Sequence, residues 1–235
     1  DAASAIALVP KLIAESGVTP TSIEFMDRAA VKAACEYLKE SIPYENCGAM
    51  LLLSLDGSDA ESVDREFLKV GEFCEKNGAT EVYVANTAEV SERIWRIRRN
   101  INEACNLISS IQRAEDIVVP PGSIPLMIDE FEAVSRKYGV FIPCFGHAGD
   151  GNLHARIVAH PDWSREKFKA ELPKILDEIY TLVGKLGGRL SGEHGIGTKL
   201  KKYMPYVVSP EYLALLKRIK IAFDPNGILN PGKIF

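Results

Sequence analysis

The sequence predicts an α+β domain, a mixed or antiparallel sheet covered by helices on one face, and three features point to it. Several segments carry apolar residues at helical spacing, short β-rich runs lie between them, and the two kinds follow one another irregularly rather than in strict βαβα alternation. From the N-terminus, AASAIALVPKLIAESG (residues 2–17) reads as a helix, followed by the β-rich runs SIEFMD (22–27) and AMLLLSLDG (49–57). Val63, Phe67 and Cys74 mark one apolar face of a helix between Ser58 and Asn77, and EVYVAN (81–86) reads as a further strand. Ile94, Ile101, Cys105 and Ile108 recur at helical spacing, and GVFIPCF (139–145) and LHARIVA (153–159) supply two more β-rich runs. Ile175, Ile179, Leu182 and Leu186 define a helix that Ser164 can cap and Gly187-Gly188 can end, with Pro173 expected to delay or kink its first turns. In the last helix, SPEYLALLKRIK (209–220), Ser209 takes the cap and Pro210 the first helical position, where a missing N–H costs nothing. Four or five strands under helices resemble a duplicated ferredoxin-like layer. No linker or internal repeat divides residues 1–235, so one domain is expected.

Composition excludes several classes. A net charge of -4, with Lys199, Lys201 and Lys202 as the one dense basic cluster, argues against a nucleic-acid partner. The most apolar windows, such as Ala49–Leu55, fall far short of the roughly 20 residues of a membrane-spanning helix. Five cysteines without CxxC spacing fit neither a disulfide framework nor a thiolate zinc site, and suggest a reducing, cytoplasmic compartment. A first residue of Asp1, with a helix beginning at once, suggests excision from something longer.

Three of the four histidines fall in two glycine-rich segments, His147 and His154 in CFGHAGDGNLH and His194 in LSGEHGIG. The turn signal Gly149-Asp150-Gly151-Asn152 can fold the first segment back so that both its imidazoles reach one mouth. Glu193 and His194 lie between Gly192 and Gly195, where the backbone can bend sharply. Two histidines and a carboxylate form a common set for a divalent ion with an open coordination position, with Zn favoured over Mn or Fe. Such an ion stabilises charge on a substrate oxygen, and a 2-hydroxy acid offers a chelating hydroxyl and carboxylate. His194, beside Glu193, is then the expected base for the hydroxyl proton. A lone histidine is more often packed or bonded to backbone, and it is the clustering that favours a site here. His160 falls outside the motifs and reads as a loop residue. The glycines at 187–197 follow a helix, not a strand, so the context of a dinucleotide loop is missing. Asp150 in its GDG turn is expected to bond nearby backbone N–H groups. Arg98 of IWRIRRNINEA could present its fork to a carboxylate, although spacing alone favours a solvated helix face, and Trp95 reads as packing.

The motifs CFGHAGDGNLH, SGEHGIG and FDPNGILNPGKIF together resemble the C-terminal domain of FAD-linked oxidases in the vanillyl-alcohol oxidase/p-cresol methylhydroxylase superfamily. The likeness is to glycolate oxidase catalytic subunits, D-lactate dehydrogenases and D-2-hydroxyglutarate dehydrogenase, and it covers the whole chain. It implies His147, His154 and Glu193 as ligands of a divalent metal, commonly zinc, and His194 as catalytic base. It also implies Arg98 as the substrate-carboxylate contact and places Asn230 close to the flavin. Asn102 stands where the hydroxyglutarate pattern has threonine, Arg156 where it has asparagine, and Ala114 or Glu115 near its lysine. These departures favour a smaller acid such as lactate or glycolate. The resemblance further implies a flavin-binding domain preceding this one, without which the chain is expected to be inert, and it leaves room for an electron-acceptor subunit and a homodimer. Rival readings of the same residues are a zinc-dependent hydrolase and a non-catalytic metal-binding or assembly domain.

Overall fold

The computed structural model describes residues 1–42 and 44–235. In chain order the elements are α1 (Ala2–Glu15), β1 (Ser22–Asp27), α2 (Arg28–Leu38), β2 (Ala49–Ser54), α3 (Ala60–Lys76), α4 (Ala88–Arg99), α5 (Ile101–Ile108), β3 (Gln112–Val118), α6 (Ile124–Tyr138), β4 (Cys144–His147), β5 (Asn152–Val158), α7 (Arg165–Lys185) and α8 (Pro210–Phe223). The strands form one five-stranded sheet in the order β2-β1-β4-β5-β3, antiparallel at every pairing. None of the described helices is long and apolar enough to cross a membrane.

Strand alternation sorts the core. Phe25, Ile117, Cys144, Leu153, Ala155 and Ile157 point to one face and pack with α1, α6 and α7, around Phe131, Ile179 and Tyr180. Met26, Phe145 and Val158 point to the other and pack under α2, α4 and α5, against Val31, Ile97, Ile101 and Cys105. Helices therefore cover both faces, not one.

The strands at Ser22–Asp27, Ala49–Ser54 and Asn152–Val158 stand where the sequence puts them, while GVFIPCF gives an isolated bridge from Phe141 to Val158 before its ladder starts at Cys144. Glu81–Asn86 forms no strand. Val82 packs with Val70 and Cys74, but a gap of about 370 Å3, lined by this segment, α3 and β2, separates it from the edge it would need to pair with. β3 was not anticipated because QRAEDIV is too polar to read as buried. Its Glu115 is sealed inside by Tyr180 Oη, by Arg113 Nε at 2.6 Å and by Lys199 Nζ at 3.3 Å. Helices α2 and α6 were likewise unanticipated. The 94–108 stretch splits at Asn100, whose side-chain amide and backbone N–H both donate to the Arg96 carbonyl, at 2.8 and 3.0 Å. Pro173 neither delays nor ends α7, because the lost backbone bond is outweighed by burying Phe168, Ile175, Leu176, Ile179, Tyr180 and Val183.

Asp27 ends β1 and caps α2. Its Oδ1 accepts from Ala30 N at 2.7 Å and its Oδ2 from Cys144 N at 2.9 Å. Burial pushes its carboxyl up to about 7 against the pull of these donors. The folded state thus holds a proton that the unfolded chain, ordinary near 3.9, has released. This stabilisation is complete below about pH 4 and is lost as pH rises through about 7, at up to ~1.4 kcal/mol per pH unit. Melting temperature should fall between pH 5 and pH 8, and Asp27→Asn should flatten that fall. An unchanged slope in the variant would assign the effect elsewhere.

Candidate metal and substrate site

The β4–β5 hairpin folds the first histidine motif as its turn signals predict. Asp150 Oδ1 accepts from Asn152 N at 2.9 Å and Gly151 takes φ +81°, so the chain reverses within the motif. The ladder pairs His147 with Asn152 and Phe145 with His154, which puts both histidines on the face that carries α4. The rings meet edge to face with centroids 6.0 Å apart.

The second motif is brought to the same place by a residue the sequence did not single out. Asp116, on β3 and paired in register with His154, is 3% exposed. Its Oδ2 accepts from Ser191 Oγ (2.8 Å) and from three successive backbone N–H groups, Gly192 (3.0 Å), Glu193 (2.9 Å) and His194 (2.8 Å). Burial pushes the Asp116 carboxyl up, but these donors together outweigh it and hold the group below the ordinary carboxylate range. The SGEHG loop thus wraps a buried anion, with Glu193 turned toward His147 and the His194 ring stacked on His154 at 5.7 Å.

One ligand atom from each of His147, His154 and Glu193 lies within 4.8 Å of the others, so the predicted set is assembled; Asp116, His154 and His194 form a second set by the same measure. Glu24, also unanticipated, settles the roles of the His147 nitrogens. His147 Nδ1 lies 2.8 Å from Glu24 Oε1, so in the neutral ring the proton sits on Nδ1 and Nε2 offers a lone pair. Nε2 faces Glu193 Oε1 at 3.3 Å, and in the neutral ring these are two acceptors that a cation between them relieves. Asn152 Nδ2 donates to Glu193 Oε1 at 2.7 Å. Its own Oδ1, like Asp116 Oδ1, is buried without a hydrogen-bond partner among the described residues. Burial lowers the His154 pKa, which favours the neutral ring that ligates metals. Side-chain exposures of 38% for His147 and 54% for Glu193 leave one side open to an exogenous oxygen. The residues present therefore fit a divalent ion with an open position.

Arg98 reaches the site but not as a free fork. Its Nε and Nη2 both lie 2.8 Å from Glu24 Oε2 and its guanidinium sits 4.7 Å above the Phe145 ring, so one carboxylate links Arg98 to His147. Nη1 alone has no acceptor among the described residues, which leaves that side of the guanidinium open. His194 borders a hollow of about 290 Å3 shared with Glu115, Asp116, Lys199 and Lys233. The C-terminal tail closes on the same loop through Ile234 N to Gly197 O at 2.9 Å, while Asn230 is exposed with φ +48° and stands outside the cluster. His160 is exposed, accepts from Asp162 N and takes no part.

Comparison with known proteins shows the family of the chain. The family described as FAD linked oxidases, C-terminal domain, matches residues 1–234. The glycolate oxidase subunit GlcD of Bacillus subtilis is 33% identical over 218 residues, 93% of this chain and 46% of that protein. D-lactate dehydrogenase of Anaerostipes hadrus is 32% identical over 234 residues, 97% of this chain and 49% of that protein. D-2-hydroxyglutarate dehydrogenase of Stutzerimonas stutzeri is 29% identical, over 92% of this chain and 47% of that protein. The chain spans about half the length of these relatives. Substrate-bound p-cresol methylhydroxylase shares the fold with a TM-score of 0.68 at 18% identity, covering 100% of this chain and 50% of that one.

Proposed function

Because the chain belongs to the family of FAD linked oxidases, C-terminal domain, we propose that it is the substrate- and metal-binding part of an FAD-dependent dehydrogenase that oxidises a D-2-hydroxy acid of lactate or glycolate size to the 2-oxo acid. The observation that carries the reading is the convergence of His147, His154 and Glu193 with an exposed histidine, His194, and an arginine edge beside them. Support for the substrate class comes from relatives named for glycolate, lactate and 2-hydroxyglutarate. A hydrolase has no observation of its own in its favour.

His147 Nε2, a ring nitrogen of His154 and a Glu193 carboxylate oxygen would hold the ion, with Zn the best match to the donors. When bound, a divalent ion supplies positive charge that stabilises an oxygen as it becomes an alkoxide, and a bound flavin accepts the hydride from C2. The open edge of Arg98 binds and orients the substrate carboxylate. His194 takes the hydroxyl proton as the C2–O double bond forms. Asn230 on the exposed C-terminal tail would contact the flavin, which the remaining length of the relatives is proposed to bind. The GlcD name, a subunit, suggests a separate electron-accepting partner.

The test is anaerobic mixing of the complete enzyme with D-lactate, glycolate, L-lactate and D-2-hydroxyglutarate while flavin absorbance is followed. D-Lactate or glycolate should bleach the flavin fastest. Bleaching by none of these acids would overturn the reading, and a clear preference for the five-carbon diacid would overturn its size assignment.

A further inference from the structure

Two carboxylates stand behind the two ring ligands, and they are in different states of engagement. Glu24 is closed on His147, with Oε1 2.8 Å from Nδ1. Asp116 is half engaged. Its Oδ2 is saturated by the Ser191 hydroxyl and the three loop N–H groups, while Oδ1 is buried with no hydrogen-bond partner among the described residues. A buried carboxylate oxygen without a donor is costly. His154 Nδ1 faces it at 3.8 Å, too long for a hydrogen bond but within reach of a small ring rotation. The register that pairs Asp116 with His154 across the ladder fixes this opposition.

Resting on the metal reading above, we propose that Asp116 is the positioning residue of the site, one oxygen holding the Glu193–His194 loop and the other taking the Nδ1 proton of His154. With that proton on Nδ1, Nε2 of His154 carries the lone pair, as it does in His147. One buried carboxylate then sets three things at once: the tautomer of a ring ligand, the direction of Glu193, and the backbone position of His194. The mainstay of this assignment is geometric. Asp116, on a strand outside both motifs, faces His154 of one and holds the backbone of the other.

The two oxygens have separable duties, which makes the proposal testable by substitution. In Asp116→Asn the amide oxygen can keep all the loop donors, but the amide nitrogen then turns a donor toward His154. The facing ring nitrogen must accept, the ring proton moves to Nε2, and the lone pair leaves the metal side. Asp116→Ala removes both duties.

The experiment uses the intact protein labelled with 15N at histidine, the His154 signals being assigned by their loss in His154→Gln. Metal-free wild type should show His154 protonated on Nδ1, and Asp116→Asn should show it protonated on Nε2. Zn2+ affinity should fall about 10–100-fold in Asp116→Asn, the range typical of lost outer partners, with little change in melting temperature. Asp116→Ala should lose both affinity and thermal stability. Wild type already protonated on Nε2, or Asp116→Asn binding Zn2+ as tightly as wild type, overturns the proposal. Should the tautomer switch as expected in a protein that binds no Zn2+ at all, the positioning role stands and the metal reading falls.

Discussion

Replacing His194 with glutamine in the complete enzyme is expected to slow flavin reduction by about 10²–10⁴-fold, the usual contribution of a positioned general base. Its side chain is 61% exposed and stacks on His154, with Nδ1 3.8 Å from Asp116 Oδ2. The backbone of the same residue is tied to Asp116 through its N–H at 2.8 Å, a contact that glutamine keeps. The substitution should therefore leave the loop, Glu193 and metal content unchanged while removing the group that accepts the hydroxyl proton. Substrate affinity, which the proposal assigns to Arg98 and the metal ligands, should change little, so the loss falls on the reduction rate. Added imidazole should restore part of that rate by standing in for the missing ring. Stopped-flow reduction at wild-type speed would show that the proton leaves by another route.

Much of this site is legible in the sequence, and what is hidden is hidden for definite reasons. The proposed ligand histidines stand out because three of the four histidines cluster in two glycine-rich segments, and the Asp150 turn between His147 and His154 is encoded within four residues. Glu24 and Asp116 are not legible as site residues, since their partners lie 123 and 75–78 positions away and only strand register brings them together. A signal was nonetheless present. Glu24 is a charge set between Ile23 and Phe25 in the run SIEFMD, and a carboxylate 6% exposed in an inner strand demands a partner. The same blindness hid β3, where Arg113 and Glu115 look solvent-facing until Tyr180 and Lys199 arrive from distant segments. In the opposite direction, Val82 and Val84 alternate like a strand but meet no edge, because alternation encodes a face and not a neighbour. Pro173 shows local propensity yielding to burial over a 21-residue helix.

Glu193→Ala and His147→Ala are each expected to abolish the bound ion, where wild type retains about one equivalent of Zn or Mn after dialysis. The three proposed ligands come from two separate motifs, so neither variant leaves more than two protein donors, too few to hold a divalent ion against water. Glu193 is the more informative of the two. Besides its ligand oxygen it accepts from Asn152 Nδ2 at 2.7 Å, and its loop is anchored independently by Asp116, so its removal empties the site without unfolding the loop. His147→Ala also strands Glu24 with Arg98 alone, a pairing the 2.8 Å contacts already satisfy. Asp150→Ala is the matched control: among the described residues its side chain bonds only Asn152 N, and its loss should loosen the turn while leaving metal in place. Metal content by mass spectrometry distinguishes these outcomes directly. Metal retained in both ligand variants but lost in Asp150→Ala would move the ion out of the histidine cluster and onto the turn. It would also leave the 3.3 Å face-off between His147 Nε2 and Glu193 Oε1 to be bridged by a proton instead.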